Sequence, residues 1–241
     1  MLCYNQYMHI EFWPATQETE FLVPPPKPAK NYIPNWYKEL KPNYNKTLAL
    51  NNLLDPNEQQ LNLKHCAPFL DSFTNGYIQE SWTDISVEKL NNGQTIAAYA
   101  SFPKILEARI ITDVIHSGPY STDEHVFKIH WAPKVPKGWS VLFTHPLSRM
   151  DLPFQVLSGI VDFDTFTQTF VGNIPFFLQK DFEGIIPAGT PMYQMIPIRR
   201  ENWNSSLKKY DKEEWLKIGQ KKNKHFYDGY KKEYWQKKVF K

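Results

Sequence analysis

The stretch Ile186-Pro187-Ala188-Gly189-Thr190-Pro191-Met192-Tyr193-Gln194-Met195-Ile196 decides the fold. From Met192 to Ile196 both alternating faces are apolar except for one amide, that of Gln194. A strand with one face in water alternates apolar and polar side chains, and this one does not. It reads as a buried strand, and an amide buried there needs donors and acceptors around it. Upstream, Gly159-Ile160-Val161-Asp162-Phe163-Asp164 runs from an apolar strand into two carboxylates. Asp162 is therefore either solvated at a strand end or held by donors.

Working outward, Tyr77–Glu88 and Gln94–Phe102 flank Asn91-Asn92-Gly93. An Asn-Gly pair between β-like runs predicts a hairpin, because both residues tolerate positive φ. Further strands are expected near 125–132, 139–144, 154–162, 166–178 and 185–198. The turns between them are Pro133 to Gly138, His145-Pro146, Gly172-Asn173 and Pro187-Ala188-Gly189. Several strands in succession with helices only at the ends give a mainly β fold, a compact barrel or sandwich.

Three zones follow. Residues 1–64 form an N-terminal arm, with a short strand in Tyr7–Trp13 and an extended connector in Pro24-Pro25-Pro26-Lys27-Pro28. The arm continues with a short helix starting near Pro34 and a polar loop over 51–65. Residues 65–204 are the β core. Residues 205–241 are a basic, aromatic C-terminal tail of helical pattern, in which Phe226, Tyr230 and Tyr234 share one face.

Composition narrows the class. Of 241 residues, 41% are hydrophobic and 15% aromatic, too rich in aromatics for a disordered chain. No apolar run approaches the roughly 20 residues that cross a bilayer, and the first residues lack an apolar signal core. No membrane association is expected. Cys3 and Cys66 fit neither a CxxC nor a zinc pattern, and reduced thiols are expected. The net charge of +3 is uneven. Residues 208–241 carry 12 Lys against 5 Asp or Glu, a net of +7, which leaves −4 for the rest.

Chemistry-bearing motifs are few. The chain has no GxSxG, no GxxxxGK[ST] and no GxGxxG. Seven histidines are scattered. His125 and His130 fall on opposite faces of a regular strand, and His9-x-Glu11 supplies only two ligands where a site needs three or four, so no metal site is expected. The lysines of the tail are interleaved with Trp215, Phe226, Tyr227, Tyr230, Tyr234 and Trp235. That pattern suits either a phosphate-tracking, base-stacking surface or an amphipathic helix that docks its aromatics and exposes its lysines.

Two resemblances add to this. Gly159 to Asp162 and Gly189 to Ile196 resemble, in order and separation, two motifs of the trimeric dUTPase and dCTP deaminase superfamily. Pro136-Lys137-Gly138-Trp139 resembles the turn that precedes that family's arginine-serine motif. The resemblance implies a dUTPase-like β core with Asp162 as a water-activating base, and Gln194, Arg149 and Asp164 in the ligand pocket. The chain departs from it in Thr165-Phe166 after the second acid, in Pro146-Leu147-Ser148-Arg149-Met150 where Arg-Ser is expected, and in lacking a glycine-rich tail. More extensively, the chain resembles an uncharacterised protein family of marine tailed phages and some bacteria. That likeness rests on Pro24-Pro25-Pro26, Ile33-Pro34-Asn35-Trp36-Tyr37, Cys66-Ala67-Pro68-Phe69-Leu70-Asp71, Phe143-Thr144-His145-Pro146-Leu147 and Leu157 to Asp162. It implies a phage-type protein in the host cytoplasm or the virion, and brings no activity with it.

The expected function is non-catalytic binding or assembly, with an unknown protein partner or a second copy, and no cofactor. One alternative is a nucleotide hydrolase or deaminase-like enzyme using Asp162, for which Mg²⁺ would be needed. The other is nucleic-acid binding through the tail.

Overall fold

The structure is a computed structural model that describes residues 8–41, 63–91, 94–109, 118–166, 171–223 and 229–241. Contacts divide the chain into two units. The first comprises Met1–Ala29, Gly76–Glu201 and Lys241; the second comprises Lys30–Asn75 and Asn202–Phe240.

The first unit holds all fourteen strands of the described residues. In chain order they are β1 (Glu11–Pro14), β2 (Lys27–Pro28), β3 (Tyr77–Glu80), β4 (Ile85–Lys89), β5 (Thr95–Tyr99), β6 (Leu106–Ala108), β7 (Tyr120–Ile129), β8 (Trp131–Lys134), β9 (Trp139–Thr144), β10 (Phe154–Val156), β11 (Gly159–Val161), β12 (Gly172–Gln179), β13 (Gly184–Ile186) and β14 (Pro191–Arg199). They form four antiparallel sheets, ordered β11-β9-β14-β3-β2, β10-β12-β7-β6, β13-β4-β5 and β1-β8. The mainly β fold is as expected. Among the described residues, however, no sheet closes on itself, so the barrel expectation is corrected. Short strands such as β2, β6, β10, β11 and β13 end the sheets instead.

Where an apolar run was read as one strand, the chain often changes sheets partway. The run 154–162 divides at Leu157-Ser158 into β10 and β11, which lie in different sheets. The run 185–198 divides at Pro187 to Thr190 into β13 and β14. The run from Tyr77 divides between β3 and β4, and Ser81 pins that crossing. Its N–H donates to Thr190 O at 2.8 Å and its carbonyl accepts from Gly189 N at 2.7 Å. The predicted hairpin is present as β4 and β5, paired from Ile85↔Tyr99 to Lys89↔Thr95. Its Asn92-Gly93 lies outside the described residues, as do Cys3, Tyr7, 51–62, 167–170 and Phe226.

The arm carries a helix that was not expected. A helix, α1 (Gln17–Leu22), follows β1. Thr16 caps it, its Oγ1 accepting from Thr19 N at 3.2 Å, and Glu18 and Glu20 complement the positive end of the helix. The proline segment is extended and ends in β2, which pairs with β3 as an edge strand; proline is tolerated there because an edge needs fewer donors. Gly76, entering β3, has φ +74°. A Cβ there would lie 2.2 Å from the carbonyl oxygen of Met195, so only glycine lets the two backbones approach.

The second unit contains α2 (Asn35–Glu39), α3 (Ala67–Thr74), α4 (Lys212–Asn223) and α5 (Gly229–Glu233). Helix α2 starts after Pro34, as expected. Helix α3 was not foreseen in a stretch read as the onset of β structure. An aromatic knot holds both: Trp36 and Tyr37 meet Phe69 and Phe73 at ring-centroid distances of 5.0 to 6.4 Å. The tail is helical only from Lys212; residues 202–210 form neither helix nor strand.

In the β unit, Phe127 of β7 is fully buried, stacks on Phe176 of β12 at 3.7 Å, and meets Phe154 edge-on. Phe127→Ala is expected to cost about 3–5 kcal/mol, read as a lowered denaturant midpoint in equilibrium unfolding.

Candidate functional site

Strand β9 organises both places where the sequence points to chemistry. It pairs with β11 from Gly159↔Phe143 to Val161↔Val141, and with β14 from Gln194↔Thr144 to Arg199↔Trp139. Continuing this register puts Asp162 opposite Ser140, at one end of β9. Gln194 lies opposite Thr144, at the other. Four residues of strand separate them by about 13 Å.

At the first end, Ser140 Oγ donates to Asp162 Oδ1 at 2.6 Å. Arg200, the residue after β14, lies across both acids. Its Nη1 is 3.0 Å from Asp162 Oδ1 and donates to Asp164 Oδ1 at 2.8 Å, while its Nη2 donates to Asp164 Oδ2. The N–H of Gly138, which turns at φ +86°, donates to Asp164 Oδ2 at 2.8 Å. This fork brings the strand ends together, and Arg200 N completes it by donating to Gly138 O at 2.9 Å. The two carboxylates differ in access: the Asp162 side chain is 58% exposed and that of Asp164 only 1%.

Both acids are strengthened. The Ser140 hydroxyl, then Arg200, holds Asp162 below the usual carboxylate range. Arg200, then the Gly138 N–H, holds Asp164 well below it. A carboxylate so stabilised is a weaker base than a free one. The exposed Asp162 can still accept a hydrogen bond from a ligand, whereas Asp164 is committed to the fork.

At the second end, the amide of Gln194 is buried and its Oε1 accepts from Leu147 N at 2.8 Å. The donor expected around this amide is therefore backbone, in the turn after β9. His145 Nε2 donates to Arg149 O at 3.0 Å, and burial lowers the pKa of its ring. Ser148 adopts φ 60°, in the left-handed region. Arg149 Nε donates to Asp151 Oδ1 and Nη2 to Oδ2, each at 2.8 Å. The structure thus brings Asp162 and Asp164 together and sets Gln194 of β14 against the pinned turn that carries Arg149, at the other end of β9. It adds Arg200 and Ser140, which sequence reasoning did not single out. The available signal for Arg200 was the pair Arg199-Arg200 closing an apolar run, in a chain with a pair of acids closing another.

In the second unit, a cavity of about 190 Å³ is lined by Leu70, Asp71, Thr74, Trp235 and Lys238, among others. Its carboxylate is occupied: Asp71 Oδ2 accepts from Trp235 Nε1 at 2.9 Å and Lys238 Nζ at 2.6 Å. Among the described residues no group of three or more His, Cys, Asp or Glu could hold a metal ion. No helix among them is long and apolar enough to cross a membrane.

The other chemically conspicuous surface is the start of the tail. Every residue from 202 to 218 is exposed. Trp203 is 84% exposed, Leu207 fully, and Tyr210 77%; Trp215, Leu216 and Ile218 are exposed too. The docked amphipathic helix expected here as one of two readings is not found in this stretch. Its apolar side chains face solvent beside Lys208, Lys209, Lys212 and Lys217. Comparison with protein-family models gave no match, and neither did comparison with curated proteins.

The depressed acids fix a pH dependence. Their pKa values are lower folded than unfolded, so their stabilisation is present above the unfolded value of about 4 and is lost as pH falls through the folded values. Arg200→Met removes the share that the guanidinium supplies. The stability deficit of this variant is expected to be widest near neutrality and to narrow below about pH 4, in urea titrations at a series of pH values. At the other end of β9, Gln194→Met leaves Leu147 N–H without its acceptor. It is expected to cost about 1–3 kcal/mol and to raise hydrogen exchange in 145–149.

Proposed function

We propose that this protein acts by binding or assembly, as a phage-type β protein with no chemistry of its own, and that the start of its tail is the contact element. The observation that carries this is the unbroken exposure of 202–218 with its large apolar side chains. Fully burying one such side chain gains about 1.5–3 kcal/mol, so a segment presenting several of them has a strong tendency to find a covering surface. Aromatics are enriched at the centres of interfaces, and the lysines beside them suit a polar rim. Resemblance to the marine tailed-phage family supports a setting in the host cytoplasm or the virion. Against the nucleotide-enzyme alternative stands the geometry of the acids: the base that alternative needs is weakened by Ser140 and Arg200, and Gln194 and Arg149 lie toward the other end of β9.

In extracts of the cells that make it, the native chain is expected to elute in a complex larger than one chain. A variant with Trp203, Leu207 and Trp215 all changed to Ser is expected to elute as a single chain with unchanged circular dichroism. An unchanged elution would sink the reading. So would turnover of any deoxynucleoside triphosphate with Mg²⁺ that Asp162→Asn abolishes, or retention on DNA or RNA that is salt-dependent and lost with the tail.

A further inference from the structure

The sheet β13-β4-β5 has two unlike faces. On one, Ile85, Val87 and Ile186 are buried. On the other, the register sets Ile185 beside Ser86, Ser86 beside Ala98, and Glu88 beside Ile96. Ser86 and Glu88 are two apart and share that face. Ile185 is 61% exposed, Ile96 43%, and Ala98 is exposed as well. Among the described residues strand β13 is also an edge, bonded to β4 alone. Its surroundings are acidic: Asp181 and Glu183 lead into it, Asp84 precedes β4 and Glu88 lies on β4, against Lys89 and Lys180. An apolar edge with unpaired backbone groups is a template for a further strand, and its carboxylate rim selects a basic one.

The tail contains a segment of the matching kind. Residues 202–210 are neither helical nor stranded, carry Trp203, Leu207 and Tyr210 exposed, and include Lys208 and Lys209 with no carboxylate. The segment has no arginine, and Leu207 has no ring to stack on a base, which argues for a protein surface over a nucleic acid. Charge divides the same way over whole units. The unit containing the sheet has 12 Lys or Arg and 16 Asp or Glu, net −4; the unit containing 202–210 has 16 and 9, net +7. Both surfaces are exposed in a single chain, so two copies have two such contacts to make.

We propose that the arm 202–210 of one copy docks along β13 and the outer face of its sheet in a second copy, reciprocally, as an exchange dimer. This rests on the binding reading above and names its partner. Backbone pairing with the β13 edge supplies the register, burial of Trp203 and Leu207 against Ile185 and Ile96 supplies affinity, and the lysines meet the carboxylate rim.

The test uses the pure full-length chain, sized by light scattering from about 1 to 100 μM, a range that brackets micromolar dissociation constants. The wild type is expected to be a dimer. Ile185→Lys, and separately Trp203→Ser with Leu207→Ser, are each expected to weaken it at least about tenfold, a loss of 1.4 kcal/mol or more. All these positions are exposed, so the circular dichroism of each variant should match that of the wild type. A tagged Ile185→Lys copy retains an intact arm and should capture the untagged arm variant, which retains an intact sheet; two tagged and untagged copies of the same variant should not pair. A wild type monomeric throughout, a variant as dimeric as the wild type, failure of the mixed pair to associate, or a mass accounted for by co-eluting nucleic acid would each overturn the proposal. If the pure chain is monomeric while the extract complex of the preceding subsection forms, the self-docking fails and the binding reading stands. If both are absent, both fail.

Discussion

The fold depends on keeping β14 dry. This strand is bonded to β9 on one side and β3 on the other, and its residues from Pro191 to Ile196 are buried. With no water available, every backbone group along it has to be paired within the sheet. That requirement explains the neighbours. Gly76 gives up its side chain so that the Met195 carbonyl can come close, and the Gln194 amide oxygen accepts from the backbone of the turn after β9. The single buried amide at this strand's centre thus serves the pairing of a loop to the sheet.

The same strand sets the distance between the two chemically marked places. Because β9 lies between β11 and β14, its register carries Asp162 to one end and Gln194 to the other. Arg200 exists at the first end because β14 runs past its last paired residue and emerges beside the turn that follows β11. Arg200 and Asp164 together tie three chain segments: the guanidinium holds both acids of the β11 exit, Asp164 accepts from Gly138 N of the β8–β9 turn, and the Arg200 backbone N–H at the β14 exit donates to Gly138 O. Such a clasp stiffens the strand ends and leaves one oxygen-bearing side chain, that of Asp162, facing solvent.

Much of this was legible in the sequence. The Asn-Gly turn announced the β4–β5 hairpin, the doubly apolar Met192–Ile196 announced a buried strand, and Pro34 marked the start of α2. What was not legible was the point at which a run changes sheets. Leu157-Ser158 and Pro187 to Thr190 interrupt apolar patterns only briefly, and periodicity is blind to which neighbour a strand will bond. Helix α3 was missed because Ala67-Pro68-Phe69-Leu70 carries no polar alternation to distinguish short helix from strand. At the acids, Asp162 and Asp164 stood out because charge at the end of an apolar run is unusual. Their cation could not be assigned from order along the chain, since Arg200 is 36 residues from Asp164 and its approach is a matter of strand pairing. Tail exposure was equally hidden: the helical pattern of lysines and aromatics suits a docked face and a bare one alike.

The helical unit is assembled from two pieces, 30–75 and 202–240, with the whole of 76–201 between them. On the ribosome the first piece emerges early, before the contacts that the second piece supplies exist, while the intervening strands are still being synthesised. At 5–20 residues per second, roughly the usual elongation rate, that interval lasts about 6 to 25 seconds. During it the nascent chain must shelter an unfinished apolar surface, and chaperone demand should therefore centre on the gap between the two halves rather than on the sheets.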